Sequence, residues 1–189
     1  MQEQLEQAEN DNPDKKQKWE EQMKKIEGIT DGLGKTIDEN IKETVAALNL
    51  LGINTVGSCD GHFDRGHVSP WVNIESDEAI RLAKTARELE LADRTAELKG
   101  VADEIINLNL LERGKLVDYL EEFYANRQTP YIKRLVIQPM HWGKGRIASQ
   151  GSDFWDAQDK ETRSKNLPEY QEEMHDFTQF LKEKYFGKR

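Results

Sequence analysis

Ile37, Ile41, Val45, Leu48 and Leu51 recur at helical spacing and predict an amphipathic helix. Thr36-Ile37-Asp38-Glu39 reads as its capping box, with Thr36 as the cap and Glu39 reaching back, and Gly52 ends it where a left-handed residue is wanted. The period then changes. Ile53–Cys59, with its Ile, Thr and Val, reads as a short strand, and Trp71–Glu75, which alternates with period two after Pro70, reads as a second strand paired with it. Ser76 caps a long helical region whose halves, Asp77–Lys99 and Val101–Asn126, meet near Gly100. Asn107, Asn109 and Gly114 mark a further break. Arg134–Gln138 and Gly145–Ser149 are the third and fourth strands, joined by a connector short enough for a hairpin. Residues 151–166 read as polar loop with a turn of helix. Asn166 and Pro168 open a last helix striped by Tyr170, Met174, Phe177, Leu181 and Tyr185 and closed by Gly187.

This order of elements excludes a regular alternation of strand and helix. The expected fold class is therefore α+β: a small, mainly antiparallel four-stranded sheet covered by helices, with a long helical insertion between strands 2 and 3. Residues 1–34 read as a charged extension, flexible or partly helical, with a short helix at Lys18–Ile26 and no part in the core; a partner-binding arm is the functional alternative. Residues 35–189 form the single domain.

About a third of the 189 residues are charged and the net charge is -9, which opposes binding to bulk nucleic acid. Basic groups are nevertheless gathered between Thr129 and Gln150, where Lys133, Arg134, Lys144 and Arg146 meet no acid. One cysteine excludes an internal disulfide, and with no secretion-signal pattern and no membrane-length apolar run the expected location is the cytoplasm.

Chemistry-bearing residues concentrate between Thr55 and Trp71. Cys59, His62 and His67 are metal-ligand types, with Asp60, Asp64 or His141 as a fourth, but a single cysteine is fewer than most structural zinc sites use, and no metal is assigned. Cys59 is also a candidate nucleophile, with His62 or His141 as its base and Asp60 beside it; its bland rival is a small, inert core residue. Anion recognition draws on the most residues. Ser58 and Gly61 shape a turn that exposes N–H groups, Asp64 and His67 flank it, His141, Lys144 and Arg146 supply polarity and charge, and Trp71 and Trp142 supply flat faces for a base or sugar.

The run from Leu48 to His62, ending Ser58-Cys59-Asp60-Gly61-His62, resembles a helix followed by Ser-Cys-Glu-Gly-His in a group of bacterial and phage proteins, with Asp60 in place of the glutamate. The likeness continues through Pro70–Ile74, Glu122–Tyr124, Arg134–Ile137 and Glu173–Phe186, and implies no activity. Thr55–His62 is also similar to the Ser-Cys-Ser-Gly-Arg strand end of the wybutosine-synthesis methyltransferases, which modify tRNA. That second resemblance implies S-adenosylmethionine and an RNA substrate, with His62 replacing the arginine.

The leading expectation is a cytoplasmic protein that binds a small anionic, nucleotide-like ligand between the Cys59–His67 loop and the His141–Arg146 hairpin. Any catalysis would rest on Cys59, Asp60 and His62. A non-enzymatic interaction protein contacting its partner through the acidic helices is the first alternative, and an RNA-modifying methyltransferase-like enzyme the second. The first reading requires the two polar hairpin tips to meet over one hollow.

Overall fold

The computed structural model describes residues 12–64 and 67–187, apart from the side chains of residues 155–157. Residues 1–11 of the expected extension lie outside the described residues. The four strands are β1 (Thr55–Cys59), β2 (Trp71–Ile74), β3 (Leu135–Pro139) and β4 (Gly145–Ser149), and they form one antiparallel sheet in the order β1-β2-β4-β3. The α+β class, the four strands and the long helical insertion between the second and third strands all stand as read from the sequence. Trp71-Val72-Asn73-Ile74 shows why: Val72 and Ile74 are fully buried while Trp71 and Asn73 on the other face are half-buried.

Beneath that buried face lie α2 (Lys42–Leu50) and the carboxy-terminal helix α5 (Lys160–Phe186), which meet through Val45, Leu48, Phe177 and Leu181. A Thr44–Thr178 hydroxyl pair at 2.7 Å joins them inside the core. The amino-terminal helix differs from expectation. It runs from Pro13 to Glu27 (α1) and packs on α2, with Ile26 fully buried and Trp19 wedged against Tyr185 and Phe186. Trp19 and Ile26, two turns apart on the same face, suffice to dock an otherwise polar helix.

The helical insertion is α3 (Asp77–Leu91) followed by α4 (Thr95–Tyr124), an antiparallel pair closed by its own small cluster around Ala79, Ala86 and Ile105. The break falls at Ala92–Arg94, where Asp93 takes φ 55°, rather than at Gly100 or Gly114. Both glycines sit in continuous helix with nothing within 4 Å of the position a Cβ would take. Asn109 is likewise helical and fully buried. Its amide oxygen accepts from Ser76 N–H (2.9 Å) and its amide nitrogen donates to the Trp142 carbonyl (2.8 Å), tying α4 to both sheet hairpins. Glu112 does the same work one turn on, accepting from Asn54 N–H at 2.7 Å.

Helix α5 starts at Lys160, earlier than Asn166, because Asp159 caps it by accepting from Thr162 N–H (2.7 Å). Pro168 is carried inside it.

Candidate functional site

β1 is an edge strand, and its free side faces α1 and the loop before α2. The loop is held by a Thr30–Thr36 bridge and by Asp31, whose carboxylate accepts from the amides of Leu33 and Lys35, both at 2.8 Å. Thr36 therefore caps nothing. After it a 3-10 turn, Glu39–Ile41, leads into α2, and the expected capping box is replaced by a turn that turns Asp38 toward the end of β1.

Asp38 is the residue that organises the site. Its Oδ2 accepts the Asp60 N–H at 3.1 Å and lies 3.1 Å from His62 Nε2. Cys59 Sγ completes the group, and the three donor atoms all lie within 4.8 Å of one another. Gly61 makes this convergence possible. It takes φ +80°, and a Cβ there would sit 2.7 Å from the Ser69 backbone carbon and 2.8 Å from the Pro70 nitrogen, so the chain turns back against its own return strand. Gly61 N–H also points at Cys59 Sγ (3.4 Å), His62 N–H donates to the His67 carbonyl (2.9 Å), and Gln171 from α5 donates to the Asp60 carbonyl (3.1 Å).

Each acid here has a different electrostatic fate. Burial works to raise the Asp38 carboxyl, but the Asp60 N–H and His62 outweigh it and hold Asp38 below its usual range. Burial pushes Asp60 up, and although the Asn40 amide donates to its Oδ2 at 2.7 Å, the nearby Asp38 charge adds to the rise. The Cys59 thiol is also pushed up, by burial first and then by Asp38, against the pull of the Gly61 N–H. Burial and the Asp38 carboxylate both disfavour the thiolate, the reverse of the surroundings that activate a cysteine nucleophile.

The second half of the expected site does not arrive. Cys59 pairs with Trp71 and Trp71 with Ala148, whereas Gly145, next to the hairpin tip, pairs with Ile74 at the other end of β2. Three strand steps, roughly 10 Å, separate those rungs, and the tips extend away from each other beyond them. His141 and Trp142 instead stack on one another at 5.4 Å, and Trp142 packs against the α3–α4 cluster. The gathered basic residues are also occupied singly: Lys133 by Glu169 (3.2 Å), Arg134 by the Tyr124 ring, Lys144 by Glu75 (2.7 Å). Arg146 lies 4.3 Å over the Trp71 ring and donates to Asn73 at 2.9 Å, on the sheet face that Cys59 shares by register. Asp64 is exposed and His67 contributes its carbonyl and a long contact to Ser69, so neither joins the Asp38 group.

What lies beside the Asp38 group is a cleft of about 620 Å³ between α1, the loop before α2, α2 and the β1 edge. Ser58, His62 and Asp38 line it, together with Lys25, Lys35 and Asn49. No family model, no curated protein and no solved structure matches this chain. Lys25, Lys35 and Asp38 were not legible as site residues from local pattern. Asp38 was absorbed by a helix-start motif, and the lysines belong to a segment whose composition reads as solvated.

Proposed function

We propose that the chain binds a small anionic molecule, of the nucleotide or sugar-phosphate class, in the cleft beside β1. The observation that carries this reading is the imbalance of satisfied charge in that cleft. Asp31 and Asp38 already accept two backbone or side-chain donors each. Neither Lys25 nor Lys35 forms a salt bridge among the described residues, and the Lys35 charge acts on Asp31 from a distance. Two lysines and His62 therefore face a hollow of the size that takes a small ligand. The β1 edge adds backbone groups that no other described strand pairs. Among the described residues no helix is long and apolar enough to cross a membrane, and we assign the protein to the cytoplasm, where a single free thiol is at home.

A thermal-shift panel tests the reading: inorganic phosphate, ribose phosphate, nucleoside mono- and diphosphates, and S-adenosylmethionine. A ligand at a hundred times its Kd stabilises the fold by about 2.7 kcal/mol, or roughly 5–11 °C for a chain of this size. The shift should vanish in a Lys25→Glu, Lys35→Glu double variant. No shift with any phosphate, or a shift indifferent to both lysines, removes the proposal.

One observation favours the interaction reading instead. Leu91, Leu110, Leu111 and Val117 are exposed along α3 and α4, apolar side chains that a partner could cover. Leu111→Glu would abolish self-association or partner capture under that reading and leave the anion shift untouched.

A further inference from the structure

The donor set of Asp38, Cys59 and His62 has a second meaning that does not depend on the anion cleft. We infer that these three residues form a binding site for a thiophilic divalent cation of the zinc type, with an open coordination position toward the cleft. A tetrahedral zinc with ligand bonds of about 2.0–2.3 Å holds its donors roughly 3.2–3.8 Å apart. His62 Nε2 and Asp38 Oδ2 are at 3.1 Å and Cys59 Sγ is within 4.8 Å of both, so small side-chain rotations close the shell.

The surroundings are those of a built site. All three side chains are half-buried, and they come from two separate pieces of backbone: the turn before α2, and the end of β1 with the Gly61 turn that follows it. Asp38 is oriented by the Asp60 N–H, and the Gly61 N–H points at the sulfur, the outer contacts that hold a ligand carboxylate and a thiolate in place. Asp60 itself is turned away to Asn40. Asp38 and His62 line the cleft, which leaves the fourth position facing it. Three protein ligands with one open position is the pattern of catalytic rather than structural zinc. His67, Asp64 and His141, the ligand types that local spacing offers, are not members of the group.

The test is a cobalt titration of the full chain after dialysis against a chelator. One equivalent of Co²⁺ should bring up the thiolate charge-transfer absorption and the visible bands of a tetrahedral centre, and one equivalent of Zn²⁺ should remove both. Cys59→Ser should lose the charge-transfer band, and Asp38→Asn should weaken binding about 100-fold or more. The asparagine keeps an oxygen for the Asp60 N–H, so the fold survives and circular dichroism will show it. His141→Ala should bind as the parent does. Absence of a thiolate band in the parent, or a band and affinity unchanged in Asp38→Asn, overturns the site. The anion panel contains no metal, so either proposal can fail while the other stands.

Discussion

Gly61→Ala separates the cost of a left-handed backbone from the cost of close approach, because the chain contains its own control. Gly61 and Gly52 both take φ +80°, but a Cβ at Gly52 would meet nothing within 4 Å. At Gly61 it would meet backbone at 2.7 and 2.8 Å and Leu167 at 3.1 Å. The left-handed conformation costs an alanine about 1–2 kcal/mol at either position. At Gly61 displacement of packed backbone adds about 1–3 kcal/mol. The expected losses are therefore about 1–2 kcal/mol for Gly52→Ala and about 2–5 kcal/mol for Gly61→Ala. Each kcal/mol lowers Tm by roughly 2–4 °C in a chain of this size, so Gly61→Ala should melt about 4–20 °C below the parent. Urea denaturation followed by circular dichroism gives the free energies directly. Equal losses for the two variants would refute the argument that the turn is pressed against Ser69 and Pro70, and with it the reason that His62 reaches Asp38.

Four further expectations follow from other contacts. Asn109→Leu leaves Ser76 N–H and the Trp142 carbonyl unpaired in the interior and should cost about 2–4 kcal/mol in the same urea assay; a loss under about 0.5 kcal/mol contradicts the tie between α4 and the hairpins. Trp19→Ala should cost about 3–5 kcal/mol and weaken ligand binding as well, since α1 walls the cleft; an unchanged Tm would mean that α1 does not dock in solution. Asp38 and Asp60 should give opposite pH signatures. Asp38 is lowered in the fold, so its contribution is present above the unfolded carboxyl range and lost as pH falls through its folded value; Asp60 is raised, so its ionisation costs stability as pH rises through that range. Asp60→Asn should therefore gain stability at pH 7 and none at pH 3, while Asp38→Asn loses at pH 7 and recovers toward the parent in acid; the same sign for both contradicts the assignment. Finally, Cys59 should alkylate with iodoacetamide at pH 8 more slowly than a free thiol, and Asp38→Asn should speed it, because the carboxylate helps hold the proton on sulfur.

Local pattern carried the sheet and most helices because each reports its own burial. Alternation in Trp71–Ile74 and the helical stripe at Ile41, Val45 and Leu48 are direct records of which side faces the core. The misplaced boundaries have local causes too. Gly100 and Gly114 weaken a helix without stopping it when nothing competes for their backbone, and Pro168 lies inside α5 rather than at its start because Asp159 caps the helix earlier in the chain. The site was half legible. Ser58, Cys59, Gly61 and His62 announce a turn with chemistry, but their partner is decided by strand order, which puts β1 at an edge beside α1 and leaves the His141–Lys144 tip at the far end. Trp71 and Arg146 do meet, on each other rather than over a shared hollow.

The central claim is that the working surface lies along the β1 edge and ends at Asp38 and His62. Amide chemical-shift mapping with a nucleoside monophosphate examines it residue by residue. Shifts should cluster at Lys35–Asp38, Thr55–Ser58 and His62 and leave residues 141–144 unmoved. Perturbations confined to that hairpin or to the Trp71–Arg146 face would contradict it.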